Sequence, residues 1–240
     1  MIERKLSIMK RILLKLSGEA LAGDKKTGFD EATVVDVAKQ VKQLVDKGIQ
    51  VGIVIGGGNF WRGRTSEKID RTKADAIGML ATVMNCIYVS EIFRTEGMKT
   101  SVLTPFECGA FTKLFSKDRA NKYFEKGMVC FFAGGIGHPY FSTDVGMVLR
   151  AVEIEADCIF AAKAIDGVYD SDPNKNPNAK KYDELSINEI IDKKLGVIDL
   201  AASVLCMENR MPMMLFGLNE ENSIVNAVTG KFTGTKIIVD

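Results

Sequence analysis

Histidine is nearly absent from this chain, which excludes several kinds of active site. The 240 residues contain one histidine, His138. Zinc sites of the HExxH type and metal centres that need two imidazoles are therefore excluded. A Ser-His-Asp hydrolase would have to use His138, which lies in a glycine-rich turn, and no GxSxG motif occurs. We expect no metal site built from protein side chains.

An excess of charge of either sign is also lacking. The chain has 32 basic and 31 acidic side chains, a formal net charge of +1, so we expect neither nucleic acid nor a membrane as a partner. The apolar stretch at residues 12–16 is interrupted by Lys15 and is too short for a signal peptide or a membrane span. Five cysteines without a CxxC pair are typical of reduced, buried thiols in the cytoplasm.

Two common nucleotide-binding motifs are missing as well. The Walker A pattern, GxxxxGK(S/T), does not occur, and no GxGxxG follows the first predicted strand. The second absence disfavours a nicotinamide-dependent dehydrogenase. A bound phosphate would therefore need a different kind of glycine turn.

Strand and helix patterns alternate along the whole chain. Apolar runs typical of buried strands span residues 11–16, 49–55, 99–103, 128–132, 157–162, 212–216 and 236–239, and helical patterns lie between most of them. We expect one α/β domain over residues 1–240, a three-layer α/β/α sandwich around a mainly parallel sheet, with residues 1–9 as a flexible tail. In such sheets, ligands bind beyond the carboxyl ends of the strands.

The most informative segment follows the second predicted strand, where Gly56, Gly57 and Gly58 precede Asn59 and Arg62. Successive glycines allow positive φ and leave backbone N–H groups open to a close ligand. Arg62 adds a cation that does not lose its proton. A turn that needs glycine only for its shape is the alternative, but the combination favours a phosphate site.

Three further segments carry useful side chains at the ends of strands or the starts of helices. Lys15 precedes a Ser-Gly turn, although an outward-facing lysine in an alternating strand would give the same pattern. Residues 133–144 contain a second glycine turn, and helix capping is the alternative explanation for Thr143 and, more so, for Asp144. Residues 166–173 combine acids with an aromatic and could bind a sugar and a base, or form an Asx-rich turn in a long surface loop.

Phosphoryl transfer is the chemistry that these segments fit. It requires in-line placement of the reactants and positive charge on the moving group, with little covalent help from the protein. Lys15, Arg62 and the backbone N–H groups of two facing glycine turns would meet that need. The predicted helix from Asp70 to Glu96 is apolar over more than one narrow stripe, which favours a contact with another subunit over complete burial in the core.

These segments, in this order, resemble the amino acid kinase family and, within it, the bacterial kinases that phosphorylate uridine monophosphate (UMP). The resemblance runs from about residue 10 to the C-terminus. It rests on Lys15-Leu-Ser-Gly-Glu, GGGNFWRG at 56–63, Asp75 with GMLATVMN at 78–85, and the segments at 139–144, 153–157, 166–169 and 199–202.

The resemblance implies a cytoplasmic kinase that makes UDP from UMP and ATP, with Mg²⁺ carried on the nucleotide phosphates. The N-terminal half would bind UMP and the C-terminal half ATP. The family enzymes form homohexamers and are often activated by GTP and inhibited by UTP. A hexamer would fit the wide apolar surface of the helix at 70–96.

The resemblance also implies a role for each matching residue. Lys15 and Arg62 would stabilise the transferring phosphoryl group, and Asp199 would orient Lys15. The expected ATP ligands are Lys15, Ser17, Gly18, Gly58, Arg62, Lys163, Tyr169 and Asp172. The expected UMP ligands are Gly57, Asp75, which would hold the ribose hydroxyls, Ile136, Gly137, His138, Pro139, Tyr140, Phe141, Ser142 and Thr143.

Two residues depart from the family pattern, which reads Gly-Thr-Gly-Asn-Pro where this chain has Gly135-Ile136-Gly137-His138-Pro139. Ile136 removes a hydroxyl that could reach the acceptor phosphate. His138 replaces an amide by a ring that titrates near physiological pH. We therefore expect acceptor binding to be altered and somewhat pH dependent.

Two other functions share the same features. A sibling kinase acting on acetylglutamate, aspartate or carbamate would keep the donor half, so that only the segments around Asp75 and 136–143 discriminate. A protein that binds oxyanions without turnover is the second alternative. The presence of Lys15, Arg62 and Asp199 favours an enzyme.

Overall fold

The computed structural model describes residues 9–61, 68–163, 165–173 and 175–239. The strands are β1 Arg11–Leu16, β2 Gln50–Ile55, β3 Lys99–Thr104, β4 Lys113–Leu114, β5 Met128–Phe132, β6 Cys158–Lys163, β7 Val168–Tyr169, β8 Lys181–Tyr182, β9 Glu184–Ser186, β10 Met213–Gly217 and β11 Thr235–Ile238. The helices are α1 Gly18–Ala22, α2 Glu31–Asp46, α3 Arg71–Thr95, α4 Lys117–Glu125, α5 Thr143–Glu153, α6 Ile187–Asp192, α7 Leu200–Glu208 and α8 Ser223–Thr229. Most of the expected tail, residues 1–8, lies outside the described part of the chain.

A nine-stranded sheet runs through the described residues in the order β4-β3-β5-β2-β1-β6-β10-β11-β9. All neighbouring strands are parallel except β10 and β11, which confirms the expected, mainly parallel sheet. Strand β1 lies at the centre, where Lys15 is in register with Val54 of β2 and Ala161 of β6. The strands that follow β1 in sequence thus fall on both sides of it.

Helices cover both faces of the sheet, because the buried strands are apolar on both faces. Leu14 and Leu16 of β1 point to one face, where α2, α3 and α8 contribute to the core. Leu13 points to the other, where α4, α5, α6 and α7 pack. These layers confirm the three-layer α/β/α sandwich.

Helix α3 combines a buried side with an exposed apolar stripe. Cys86, Val89 and Phe93 are fully buried against the sheet. Ile77, Leu80, Met84 and Ile87 repeat at helical spacing and remain 38–52% exposed. Of the described helices, α3 alone is long and apolar enough to cross a membrane by length and composition, which for one partly buried helix is weak evidence.

The segment at 166–183, expected to be a long loop, contains a short antiparallel hairpin. Strand β7 pairs with β8, with Val168 opposite Tyr182 and Tyr169 opposite Lys181. Strands of two residues are too short to show a detectable period, and the residues between them are rich in Asp, Asn and Pro. The sequence pattern therefore does not predict these strands. The hairpin follows β6, next to the carboxyl edge of the sheet.

Candidate active site

The carboxyl ends of four adjacent parallel strands meet at one edge of the sheet. Strand β1 leads into Ser17 and Gly18, β2 into the glycines 56–58, β5 into the turn at 134–137, and β6 ends at Lys163. The segments that the sequence singled out therefore converge, since parallel strands place their ends on the same side.

Both glycine turns line one cleft of about 200 Å³. The first turn contributes Gly57 and Gly58, the second Gly135, and the start of α5 closes the cleft with Phe141, Ser142 and Thr143. Helix α3 forms the remaining wall with Arg71, Ala74, Asp75, Gly78, Met79 and Thr82, and Trp61 also lines the cleft. The two turns thus face each other across a space open to a ligand.

The first glycine turn is held by buried amides. The side chains of Asn59 and Asn85 exchange hydrogen bonds of 3.0 and 2.7 Å, and Asn85 also donates to the carbonyl of Gly56 at 2.7 Å. Both asparagines are at most 1% exposed. Because these amides satisfy one another and the turn, they fix the shape of the turn from within the protein.

The expectation of positive φ at residues 56–58 is wrong, since none of these three glycines adopts it. Close contacts limit the space for a side chain at two of these positions instead. A Cβ on Gly57 would lie 3.0 Å from the carbonyl oxygen of Gly78, and one on Gly58 would lie 2.4 Å from Oε1 of Glu19. Gly18 is equally constrained, because its Cβ would lie 2.4 Å from the carbonyl oxygen of Gly56.

The second glycine turn does use the left-handed region. Gly134, Gly135 and Gly137 have φ of 78°, 57° and 87°. The N–H of Gly134 donates to Oγ1 of Thr82 at 2.8 Å, which ties this turn to α3. A Cβ on Gly146 of α5 would lie 3.4 Å from Cα of Gly135, so α5 starts directly beside the turn.

A cluster of three charges lies beside the cleft. Nζ of Lys15 is 3.1 Å from Oδ1 of Asp144, and Nζ of Lys163 is 3.7 Å from Oδ2 of the same carboxylate. Burial would raise the pKa of Asp144, but the two ammonium groups outweigh it and lower this pKa. Burial lowers the pKa of Lys163, and Asp144 opposes that shift. Two lysines therefore flank a single carboxylate in this cluster.

The carboxylate of Asp75 is oriented by two donors on the same oxygen. Nε of Arg71 and the N–H of Tyr140 each lie 2.8 Å from Oδ2. Tyr140 has a left-handed φ of 71°, and its exposed ring lies under the guanidinium of Arg71 at 5.5 Å. Asp75 thus links α3 to the loop that precedes α5.

A family model supports the assignment that this geometry suggests. The model of the amino acid kinase family matches residues 10–217. The chain belongs to the amino acid kinase family. The match spans both glycine turns and the cluster formed by Lys15, Asp144 and Lys163.

Solved kinases of this family share the whole fold. The UMP kinase of Bacillus anthracis is 35% identical, with 97% of each chain covered and a TM-score of 0.92. The UMP kinase of Ureaplasma parvum is 35% identical, with 96% of this chain and 99% of that chain covered and a TM-score of 0.90. The uridylate kinase of Archaeoglobus fulgidus is 25% identical over 94% of this chain, with a TM-score of 0.73.

In this member of the family, the expected partner of Lys15 is not the one that the structure shows. The resemblance implied that Asp199 orients Lys15, but the carboxylate that pairs with Lys15 is Asp144. Asp199 instead caps α7 and accepts a hydrogen bond from Ser142. Asp144 does not cap α5, because Ser142 does. Arg62, expected to be the second catalytic cation, lies outside the described residues.

The expected acceptor loop divides into two parts. Phe141, Ser142 and Thr143 line the cleft. Ile136 instead packs against the core on the α5 side of the sheet, and His138 is exposed. The roles of residues 136–143 as UMP ligands stay predictions.

Apart from Arg62, the expected ATP ligands lie at the ends of β1, β2 and β6 and in the hairpin. Lys163 donates to the carbonyl of Val197 in addition to its contact with Asp144. The hydroxyl of Tyr169 donates to Asp166 at 2.7 Å, and Lys181 donates to the other oxygen of Asp166 at 2.8 Å. Asp172 lies after β7 and is 3.6 Å from Lys175. The described residues contain no group of three or more His, Cys, Asp or Glu able to hold a metal.

Three residues of the site were missed from the sequence. From the sequence, helix capping is the favoured interpretation of Asp144, Thr82 is only part of the GMLATVMN motif at 78–85, and Arg71 is not among the predicted residues. Arg71 and Asp75 are four residues apart in a predicted helix, a spacing that places them on one face and could have indicated the pair. Nothing local indicates that Thr82 meets Gly134, 52 residues further along the chain.

Proposed function

We propose that this protein transfers the γ-phosphoryl group of ATP directly to UMP and so forms UDP. The observation that carries the proposal is that two glycine turns face one cleft, beside which Asp144 holds two lysines. Fixed positive charge and preorganised backbone donors are what phosphoryl transfer needs. The similarity to two UMP kinases over nearly the whole chain favours UMP over acetylglutamate, aspartate or carbamate as the acceptor.

The division of substrates follows the sheet. Gly57, Asp75 and the start of α5 would bind UMP on the side of β1 that carries β2 and β5. The ends of β1 and β6 with the hairpin would bind ATP on the other side. The free oxygen of Asp75 would accept from the ribose hydroxyls, since both described donors lie on Oδ2.

The cations would act on the moving phosphoryl group. Lys15 is held at the centre of the sheet by Asp144, and Arg62 would be the second cation. Ser17, Gly18 and Gly58 would line the donor phosphates, and Lys163, Tyr169 and Asp172 would contact the adenosine side. Mg²⁺ commonly binds nucleotide phosphates with few protein ligands, which fits this donor set, and it would neutralise charge on the phosphates when bound.

A coupled assay of UDP or ADP formation tests the proposal. UMP, CMP, acetylglutamate and carbamate are offered with Mg-ATP, and we expect turnover with UMP to be the fastest. Lys15→Ala and Arg62→Ala should each lower kcat about 100- to 1000-fold with the fold intact. Faster turnover of a carboxylate or carbamate acceptor would contradict the proposal.

The two departures in the acceptor loop allow a narrower test. If His138 contacts UMP, we expect the KM for UMP to change between pH 6 and 8. His138→Asn should remove that dependence, whereas Ile136→Thr should alter the KM for UMP without a change in its pH profile. An identical profile in His138→Asn and the parent would exclude this role.

We also propose a homo-oligomer, expected to be a hexamer, in which the exposed stripe of α3 is an interface. An apolar strip on α3 is exposed to water in a single subunit. It consists of Ile77, Leu80, Met84 and Ile87. Leu80→Glu should reduce the mass measured by sedimentation equilibrium, and the exposed Lys73→Ala on the same helix should not. Unchanged mass in Leu80→Glu would contradict the interface.

Regulation and location are the remaining parts of the proposal. GTP as an activator and UTP as an inhibitor are tested by adding each to the UMP assay at fixed ATP. A cytoplasmic location is supported by the five cysteines, all of which are free.

A further inference from the structure

The hydroxyl of Ser142 is fully used by the protein. It accepts hydrogen bonds from the N–H groups of Asp144 at 3.0 Å and Val145 at 3.3 Å, which caps α5. It donates its own hydrogen to Oδ2 of Asp199. A serine hydroxyl has one hydrogen and two lone pairs, so these three bonds saturate it. Ser142 therefore has no donor left for a substrate while this arrangement holds.

The carboxylate of Asp199 is the acceptor of the hydrogen bond from Ser142. Its Oδ1 accepts from the N–H of Ala202 at 2.8 Å and caps α7, while Oδ2 accepts from Ser142. One short side-chain contact thus joins the N-termini of two helices that are 57 residues apart in sequence. Helix α5 borders the acceptor cleft, and α7 belongs to the C-terminal half.

The same two helix starts are joined a second time through the charge cluster. Lys163 donates to the carbonyl of Val197, two residues before Asp199, and lies 3.7 Å from Asp144, two residues after Ser142. Together with the hydrogen bond from Ser142 to Asp199, these two contacts of Lys163 form a closed ring. The ring contains both capping residues and the charged groups of Lys163 and Asp144. Movement of either helix start would change the distance between Asp144 and the lysines, because Asp144 is in the first turn of α5.

We propose that Ser142 and Asp199 are positioning residues, whose hydrogen bond clasps the starts of α5 and α7 and so holds Asp144 against Lys15 and Lys163. This inference rests on the proposed function. It revises two implied roles: Asp199 acts on Lys15 through Ser142 and Asp144, and Ser142 serves the geometry of the cleft instead of donating a hydrogen bond to UMP.

The test compares kcat with the two KM values in a set of variants. Ser142→Ala removes the clasp and the cap of α5 but keeps the charge of Asp199. We expect kcat to fall about 10- to 100-fold, mainly through loss of the hydrogen bond to the charged carboxylate. The KM for UMP should stay within about threefold of the parent, because no ligand is removed. Ser142→Thr keeps the hydroxyl and should restore most of kcat.

A double variant tests whether the two residues act as a unit. Asp199→Ala should lower kcat by an amount similar to Ser142→Ala, and the double variant should be no slower than the slower single variant. Ser116 caps α4 in the same way, accepting from the N–H of Arg119 at 3.2 Å. Ser116→Ala is therefore the matched control, and its kcat should not change.

Four results would overturn the inference. A raised KM for UMP at unchanged kcat would make Ser142 a substrate ligand, and multiplicative losses in the double variant would make the two residues independent. Unaltered kcat in a folded Ser142→Ala, or no recovery of kcat in a folded Ser142→Thr, would show that the hydroxyl contributes nothing to turnover. A folded parent protein that does not phosphorylate UMP would instead refute the proposed function, and the clasp's role in it, so the two failures are distinguishable.

Discussion

Replacing Asp144 by Asn is the sharpest test of the charge cluster, because it removes one charge and almost no volume. Asp144 lies 3.1 Å from Lys15 and 3.7 Å from Lys163, and its side chain is 18% exposed. At an effective dielectric constant of about 20, the two attractions amount to about 5 and about 4 kcal/mol. The cost of burying the carboxylate offsets much of this sum.

We expect Asp144→Asn to lower the free energy of unfolding by about 2 kcal/mol at pH 7, less than for a fully buried pair because the site is partly exposed. For a chain of this size, that corresponds to a Tm lower by about 4–8 °C. The folded-state pKa of Asp144 is lowered below its ordinary 3.8. The stabilisation is therefore complete above about pH 4 and is lost as the pH falls through the folded-state pKa.

The same substitution should alter the kinetics in two ways. Lys15 loses the group that holds it, so kcat should fall about 100-fold. Burial already lowers the pKa of Lys163, and loss of the opposing carboxylate should lower it further. If protonated Lys163 binds ATP, kcat/KM for ATP should then decline at a lower alkaline pH in the variant than in the parent.

Steady-state rates from pH 6 to 10 and thermal unfolding monitored by circular dichroism measure these effects. Asp118→Asn is the matched control, since Asp118 is an exposed acid in the first turn of α4 and lies outside the cluster. A variant of Asp144 with parental kcat, an unshifted alkaline limb and an unchanged Tm would refute the reasoning.

Three further predictions concern the packing around the site. Gly18→Ala should lower the free energy of unfolding by about 1–3 kcal/mol in differential scanning calorimetry, because its Cβ would lie 2.4 Å from the carbonyl oxygen of Gly56. Gly196→Ala is the control and should be close to neutral, since its Cβ would have no atom within 4 Å. Asn85→Ala should lower the unfolding free energy in urea by about 2–3 kcal/mol, since it leaves the carbonyl of Gly56 without its buried donor; a loss under about 0.5 kcal/mol would contradict this. A thiol reagent at pH 8, followed by mass spectrometry, should label Cys108 first, because burial raises the pKa of the other four cysteines. Faster labelling of any of those four would contradict their burial in the core.

The layered fold could be predicted because its signals are local. Most of the long strands are rich in apolar residues, and β1 and β5 lie where the pattern predicts them, at 11–16 and 128–132. The hydrophobic period of a strand and the residues typical of turns can both be recognised from neighbouring positions in the sequence. The two-residue strands β7 and β8 were missed for the same reason, since they are too short to show a period.

The glycine turns illustrate a different limit. Their position was correct, but the reason at 56–58 was not: none of the three has a positive φ, and contacts with Gly78 and Glu19 limit the space at Gly57 and Gly58. A glycine can be needed for a positive φ or for close contact with a neighbouring group. Which of the two applies depends on residues that are far away in sequence. Only the second turn, at 134–137, has the left-handed backbone expected of the first.

The sequence by itself determined the order of the longer strands, the two glycine turns and the presence of a lysine at the end of β1. Only the tertiary structure decided which carboxylate holds that lysine, because Asp144 and Asp199 both begin helices and local pattern cannot rank them. Ion pairs and helix caps act over a few ångströms, and folding alone brings residues more than a hundred positions apart within that range.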